Sequence, residues 1–170
     1  IAKWNVKRVA TISPDYAYGQ DVTKAFVEYI KKIKPDVEIV DQQWPKLGEA
    51  DYTPFINAQM AKKPEAVFSS LWGGHFVTFA KQAKPLGYFD AVKNNVIAVG
   101  EAGSPESTKS MGKDYPVGIW GNSYDAFYWQ PADAQVAKLH SAFITRLKAY
   151  LKEDAPASWV DNSFLADIRR

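Results

Sequence analysis

From residue 6 to residue 120 the chain repeats one arrangement: a short apolar or β-branched run, a loop rich in Gly, aromatic or acidic residues, then an amphipathic helix closed by Pro or Gly. That alternation leaves few folds open, because successive strands separated by helices pair in parallel through right-handed crossovers and need helices on both faces of the sheet. The first unit sets the pattern. Residues 6–12 (VKRVATI) predict a strand, Ser13-Pro14-Asp15-Tyr16-Ala17-Tyr18-Gly19 a turn, and residues 19–34 a helix with Val22, Phe26, Tyr29, Ile30 and Ile33 at helical spacing, stopped by Pro35.

The units that follow vary this theme. Residues 37–44 predict a second strand ending at Trp44-Pro45, and residues 51–63 a helix in which Pro54 is tolerated because it lies in the first turn. Residues 66–71 (AVFSSL) read as a strand buried on both faces, followed by Trp72-Gly73-Gly74 and a helix over 75–84. A fourth strand over 95–99 runs into Gly100-Glu101-Ala102-Gly103-Ser104, where Ser104 and Pro105 are the cap and first position of a short helix. Residues 117–120 (VGIW) predict a fifth strand. The fold class expected is therefore α/β, a Rossmann-like doubly wound parallel sheet. Beyond residue 121 the character changes to a long amphipathic helix over 133–151, with Val136, Leu139, Phe143, Leu147 and Tyr150 as its stripe, and a further helix from Ser158. No strand follows to which these helices could wind, so they are expected to belong to a second sheet-containing unit that this chain does not include.

Composition narrows the function classes. A hydrophobic share of 46% and a charged share of 24% are those of an ordinary globular domain, and 170 residues suit one well-buried core. No apolar run approaches the roughly 20 residues that span a bilayer. Ile1 is not an initiator Met, which leads to the expectation of a processed or trimmed chain. Without cysteine there are no disulfides, thiolate metal sites or cysteine nucleophiles. A net charge of +2, with Lys spread along helices, argues against nucleic acid as a partner. No phosphate-loop or dinucleotide glycine pattern follows any strand, and no G-x-S-x-G occurs, so no cofactor is expected. His75 and His140 lie on different elements and cannot form a paired metal motif.

Attention therefore falls on the loops at the carboxyl ends of the strands, where open α/β sheets bind ligands. These carry Asp15, Tyr16 and Tyr18 after the first strand, Trp44 after the second, Trp72, Gly73 and Gly74 after the third, Glu101 after the fourth, and Trp120 with Tyr124 after the fifth. Core packing accounts for any one of these aromatics. Together on one rim, aromatic walls with a charge and exposed N–H groups make a small-molecule site. Acid–base chemistry there would fall to Glu101 and His75, which keeps a flavodoxin-like enzyme open as an alternative.

The series Lys7-Arg8-Val9-Ala10-Thr11-Ile12-Ser13-Pro14-Asp15-Tyr16-Ala17-Tyr18-Gly19, Asp51-Tyr52-Thr53-Pro54-Phe55-Ile56, Pro64-Glu65-Ala66-Val67-Phe68, Gly100-Glu101-Ala102-Gly103, Gly118-Ile119-Trp120-Gly121 and Ser158-Trp159-Val160-Asp161-Asn162-Ser163-Phe164 resembles, in collinear order, the second lobe of type I periplasmic binding proteins. These are the solute receptors of ABC importers, here of the branched-chain amino-acid type. The resemblance implies two Rossmann-like lobes closing on a ligand, with residues 1–126 as one lobe and 127–170 as the hinge crossing and helices of the other. It implies a periplasmic or lipid-tethered location and an ABC permease as partner. It also implies that the ligand is an amino acid or related carboxylate, contacted by Tyr18 and by Glu101 at an ammonium group, with Trp72 on the pocket wall; the rim loops add Gly73, Trp44 and Tyr124 to the expected ligand contacts. The Trp-rich rim departs from a plain leucine receptor and points to a larger or aromatic ligand, for which Glu101 would face a hydroxyl or amide. A ligand-sensing domain of the same fold is the other reading the resemblance leaves open.

Overall fold

The computed structural model describes residues 1–97, 105–121 and 134–152. The chain divides into two compact units, 1–122 and 123–170. In the first, five parallel strands run in the order β2-β1-β3-β4-β5, with β1 at Arg8–Ile12, β2 at Glu38–Gln43, β3 at Ala66–Ser69, β4 at Asn94–Ile97 and β5 at Trp120–Gly121. The register sets Ile12 beside both Gln43 and Ser69, and Ser69 beside Ile97, so the strand ends form one rim. β1 and β3 are neighbours whose connections leave in opposite directions, the topology that opens a crevice at the carboxyl end.

Helix α1 (Ala17–Ile33) covers one face and α2 (Thr53–Lys62), α3 (Gly73–Ala83), α4 (Tyr88–Ala91) and α5 (Pro105–Met111) the other. The pleat divides the strand residues accordingly. Val9 and Ala66 pack with Ile30 and Phe26 on the α1 side, while Ala10, Ile12 and Val67 pack with Ile56, Phe76, Phe79 and Tyr88 on the other. Phe26 stacks on Phe68 with centroids 4.1 Å apart and planes 4° apart, fastening α1 to β3. At the amino end of the sheet, the Arg8 guanidinium donates to the carbonyls of Lys62 and Lys63 at the close of α2 and pairs with Glu38 at 2.9 Å. It thereby satisfies carbonyls that the end of a helix leaves without partners.

A buried polar chain ties α2 and α4 to the sheet. The Gln59 amide donates to the Thr11 carbonyl (2.9 Å) and accepts from the Tyr88 hydroxyl (2.6 Å). Burial, helped by Asp41, pushes the Tyr88 phenol well up, so it stays a neutral donor.

Several boundaries differ from those the periodicity predicts. Gly73 and Gly74 belong to the first turn of α3, since Gly73 takes φ +52° and starts the helix straight after the extended Trp72. Helix α4 is only four residues long, too short to show a period. Among the described residues the fifth strand is Trp120–Gly121 and starts late, because Gly118 at φ +87° turns the chain and leaves Val117 exposed. In the second unit, α6 occupies Ala134–Leu151. Of its predicted stripe, Phe143 and Leu147 are half-buried, whereas Leu139 and Tyr150 are exposed. The expected helix from Ser158 lies outside the described residues.

Candidate functional site

The first turn is built by hydroxyls. Ser13 is fully buried, and its Oγ accepts from Thr23 Oγ1 of α1 (2.7 Å) and Ser70 Oγ beyond β3 (2.8 Å), while its N–H donates to the Gln43 carbonyl. One side chain thus joins the ends of β1 and β3 to α1. The Asp15 N–H reaches the Pro45 carbonyl at 2.8 Å, and Gln20 Nε2 donates to Asp15 Oδ1 at 3.0 Å. α1 can start here because residue 19 is glycine. A Cβ at that position would lie 2.0 Å from the Pro14 carbonyl oxygen.

On this platform the aromatic residues form a connected row. The Trp72 Nε1–H donates to the Tyr16 hydroxyl at 3.0 Å, and the Tyr16 and Tyr18 rings lie 5.7 Å apart. Trp72 is 41% exposed although it is anchored, and its ring sits 6.1 Å from that of His75. His75 Nδ1 is 2.9 Å from the Tyr52 hydroxyl, and the Gly48 N–H donates to its Nε2 at 3.4 Å. An accepting Nε2 sets the neutral tautomer with the proton on Nδ1. Burial agrees, since it lowers the His75 pKa below the ordinary value and raises that of the Tyr52 phenol. Both imidazole nitrogens are therefore engaged in holding the β2–α2 loop against α3. The N–H groups of Gly73 and Gly74, at the start of α3, have no intrahelical acceptor and form the positive end of the helix dipole.

Of the predicted site residues, Tyr18, Trp72 and Gly73 come together on this rim. Trp44 is placed differently. It borders an open groove of about 650 Å³ with Asp15, Gln20, Lys24 and Gln42, and among the described residues it makes no ring contact with Trp72. Trp120 leaves the expected rim altogether, pairing with Val96 inside β5 and placing its ring 5.5 Å from Trp4. A strand that starts three residues late carries its terminal tryptophan into the sheet. Glu101 and Tyr124 lie outside the described residues. The groove of about 500 Å³ bordered by Glu65, Lys93 and Asn94 lies at the amino ends of the strands, away from the crevice that the topology opens. Residues that sequence reasoning passed over are Ser13, Tyr52, Gly48 and Ser70. Within the helix predicted over 51–63, nothing in the sequence tells that the Tyr52 hydroxyl will meet a histidine 23 positions on.

Comparisons with known proteins agree with this architecture. A solute-binding protein of an ABC transporter from Rhodopseudomonas palustris BisB5, solved with 3,4-dihydroxybenzoic acid, is 30% identical over 57% of this chain and 26% of its own, with a TM-score of 0.50. The amino-acid ABC transporter substrate-binding protein of Pseudomonas fluorescens Pf-5 shares the fold at 16% identity, with a TM-score of 0.60 over 69% of this chain and 30% of its own. The leucine-, isoleucine-, valine-, threonine- and alanine-binding protein of Brucella ovis does so at 22% identity, with a TM-score of 0.54 over 64% of this chain and 26% of its own. The chain thus spans between about a quarter and a third of the length of these structures. A search of curated proteins finds no match. The sequence profile described as periplasmic binding protein matches residues 1–166, nearly the whole chain. With the parallel sheet, the crevice at β1 and β3 and this match in hand, the chain belongs to the periplasmic binding protein family and has the fold of the type I solute receptors.

Proposed function

We propose that this chain is part of the substrate-binding component of an ABC importer, and that it takes up a small carboxylate with an aromatic ring, or an amino acid of similar size, for delivery to a membrane permease. The observation that carries the reading is the row Tyr18, Tyr16, Trp72 and His75 at the switch point of the sheet. Its members are held by one another and by the loop behind them, so a ring can be received without ordering the wall first, which limits the entropic cost of binding. The 30% identity to a protein solved with 3,4-dihydroxybenzoic acid supports the aromatic choice, and the amide N–H groups of Gly73 and Gly74 suit a carboxylate.

In this reading residues 1–126 are one lobe and residues 127–170 the hinge crossing with helices of the other. Tyr18, Trp72, Gly73, Glu101 and Tyr124 face the ligand, with Trp44 at the edge of the rim beside Asp15, and the cleft closes by hinge motion. Glu101 meets a ligand hydroxyl or ammonium. The output is binding and transport rather than bond chemistry, in the periplasm or tethered at the membrane surface.

The test is a thermal-shift screen of the full-length protein with 3,4-dihydroxybenzoate, 4-hydroxybenzoate, benzoate and leucine. A ligand at about a thousand times its Kd stabilises by about 4 kcal/mol, which such a screen resolves. Glu101→Gln should lose affinity for the stabilising compound. No shift with any of them, together with turnover of one, would overturn the reading in favour of an enzyme.

A further inference from the structure

The family resemblance assigns the polar contact of the first turn to Tyr18. The side chains argue for its neighbour. Both residues are half-buried, but the Tyr18 hydroxyl oxygen is itself buried, whereas the Tyr16 hydroxyl sits beside the exposed Trp72, whose indole N–H it accepts. Each other polar group of the row is already committed. An indole has a single donor, and that of Trp72 is spent on Tyr16. His75 uses Nδ1 on Tyr52 and Nε2 on Gly48. The Tyr16 oxygen accepts from Trp72, so its own proton remains to be given, and among the described residues no group accepts it. Accepting from an N–H also polarises a hydroxyl and makes it the stronger donor.

We propose that, within the receptor function set out above, Tyr16 is the specificity-determining donor of this lobe. Trp72 presents only its ring to the ligand, and the Tyr16 hydroxyl donates to an acceptor atom lying at the edge of the stacked ring. The ligand class is then an aromatic acid or phenol with an oxygen acceptor on the ring or one bond from it. A purely aliphatic amino acid leaves the Trp72 face without a partner ring.

The experiment is isothermal titration of the full-length protein with 3,4-dihydroxybenzoate, benzoate and leucine, for the wild type, Tyr16→Phe, Tyr18→Phe, Trp72→Phe and the Tyr16→Phe/Trp72→Phe pair. Tyr16→Phe is expected to weaken 3,4-dihydroxybenzoate at least tenfold while the melting temperature without ligand stays within a degree or two of wild type. Tyr18→Phe keeps the Tyr18 ring in the row and removes only its buried hydroxyl, so it should weaken the acid less than Tyr16→Phe does. The double variant separates donor from prop: Tyr16→Phe still costs several-fold in the Trp72→Phe background if the hydroxyl touches the ligand. It costs nothing there if Tyr16 only positions Trp72, which would overturn the proposal. A tenfold loss confined to Tyr18→Phe would also overturn it and leave the receptor reading standing. Wild-type protein that prefers leucine to both acids would refute the aromatic class, and binding of none of the three would refute the receptor reading with it.

Discussion

Gly19 and Pro14 meet so closely that a single methyl on the glycine would stand 2.0 Å from the proline carbonyl oxygen. The contact is with backbone, which cannot swing aside as a flexible side chain would. It lets α1 begin at Ala17, five residues after β1 ends at Ile12.

Gly19→Ala should therefore cost more than an ordinary glycine-to-alanine change in a helix, which is favourable by about 0.5–1 kcal/mol on propensity alone. Overpacking of this kind destabilises by about 1–3 kcal/mol or more. Urea unfolding reads it directly. An unchanged midpoint would mean that the turn relaxes freely, and that the rim is less rigid than the hydroxyl contacts of Ser13 imply.

Ser13→Ala removes the acceptor for both Thr23 and Ser70 in a buried place. Each hydroxyl left without a partner costs about 1–3 kcal/mol. The same variant loosens the turn that carries Tyr16, so ligand affinity should fall together with stability, as titration and a melting curve would reveal.

Gln59→Leu keeps the volume but leaves the Thr11 carbonyl and Tyr88 hydroxyl unanswered. The expected loss is again about 1–3 kcal/mol for each group, with little effect on ligand affinity after correction for unfolded protein. Thr11 and Tyr88 belong to the core rather than to the rim. Comparison of Gln59→Leu with Ser13→Ala by titration separates core from platform.

His75 is expected to make the fold sensitive to mild acid. Burial holds its pKa below the ordinary 6.5, so the folded chain binds fewer protons than the unfolded one. Its contribution to stability is present above pH 6.5 and is lost as the pH falls through the depressed value. Protonation also ends acceptance of the Gly48 N–H. Melting temperatures taken from pH 8 down to pH 5.5 should decline in the wild type and decline less in His75→Gln. A wild-type curve parallel to that of the variant would show that His75 does not titrate differently on folding.

The doubly wound class was legible because α/β alternation writes two periods into the chain, and Pro35, Pro45 and Gly87 punctuate it. β3 was plain in AVFSSL, since a central parallel strand is apolar on both faces. The boundary of β5 was not, because apolar Val117 looks like a strand residue and only Gly118 at φ +87° turns the chain away. Trp120 followed that error from the rim into the sheet.

The candidate site divides along the same line. That the loops after the strands would share one end depends on crossover handedness and parallel pairing, which are local and general, so the sequence by itself determined which turns to inspect. The tertiary structure decided which side chains meet there. Tyr16 lies 56 positions from Trp72, and Tyr52 lies 23 from His75. Bonds between partners so distant in sequence arise only when the sheet brings β1, β2 and β3 into register, and neither composition nor periodicity encodes that distance.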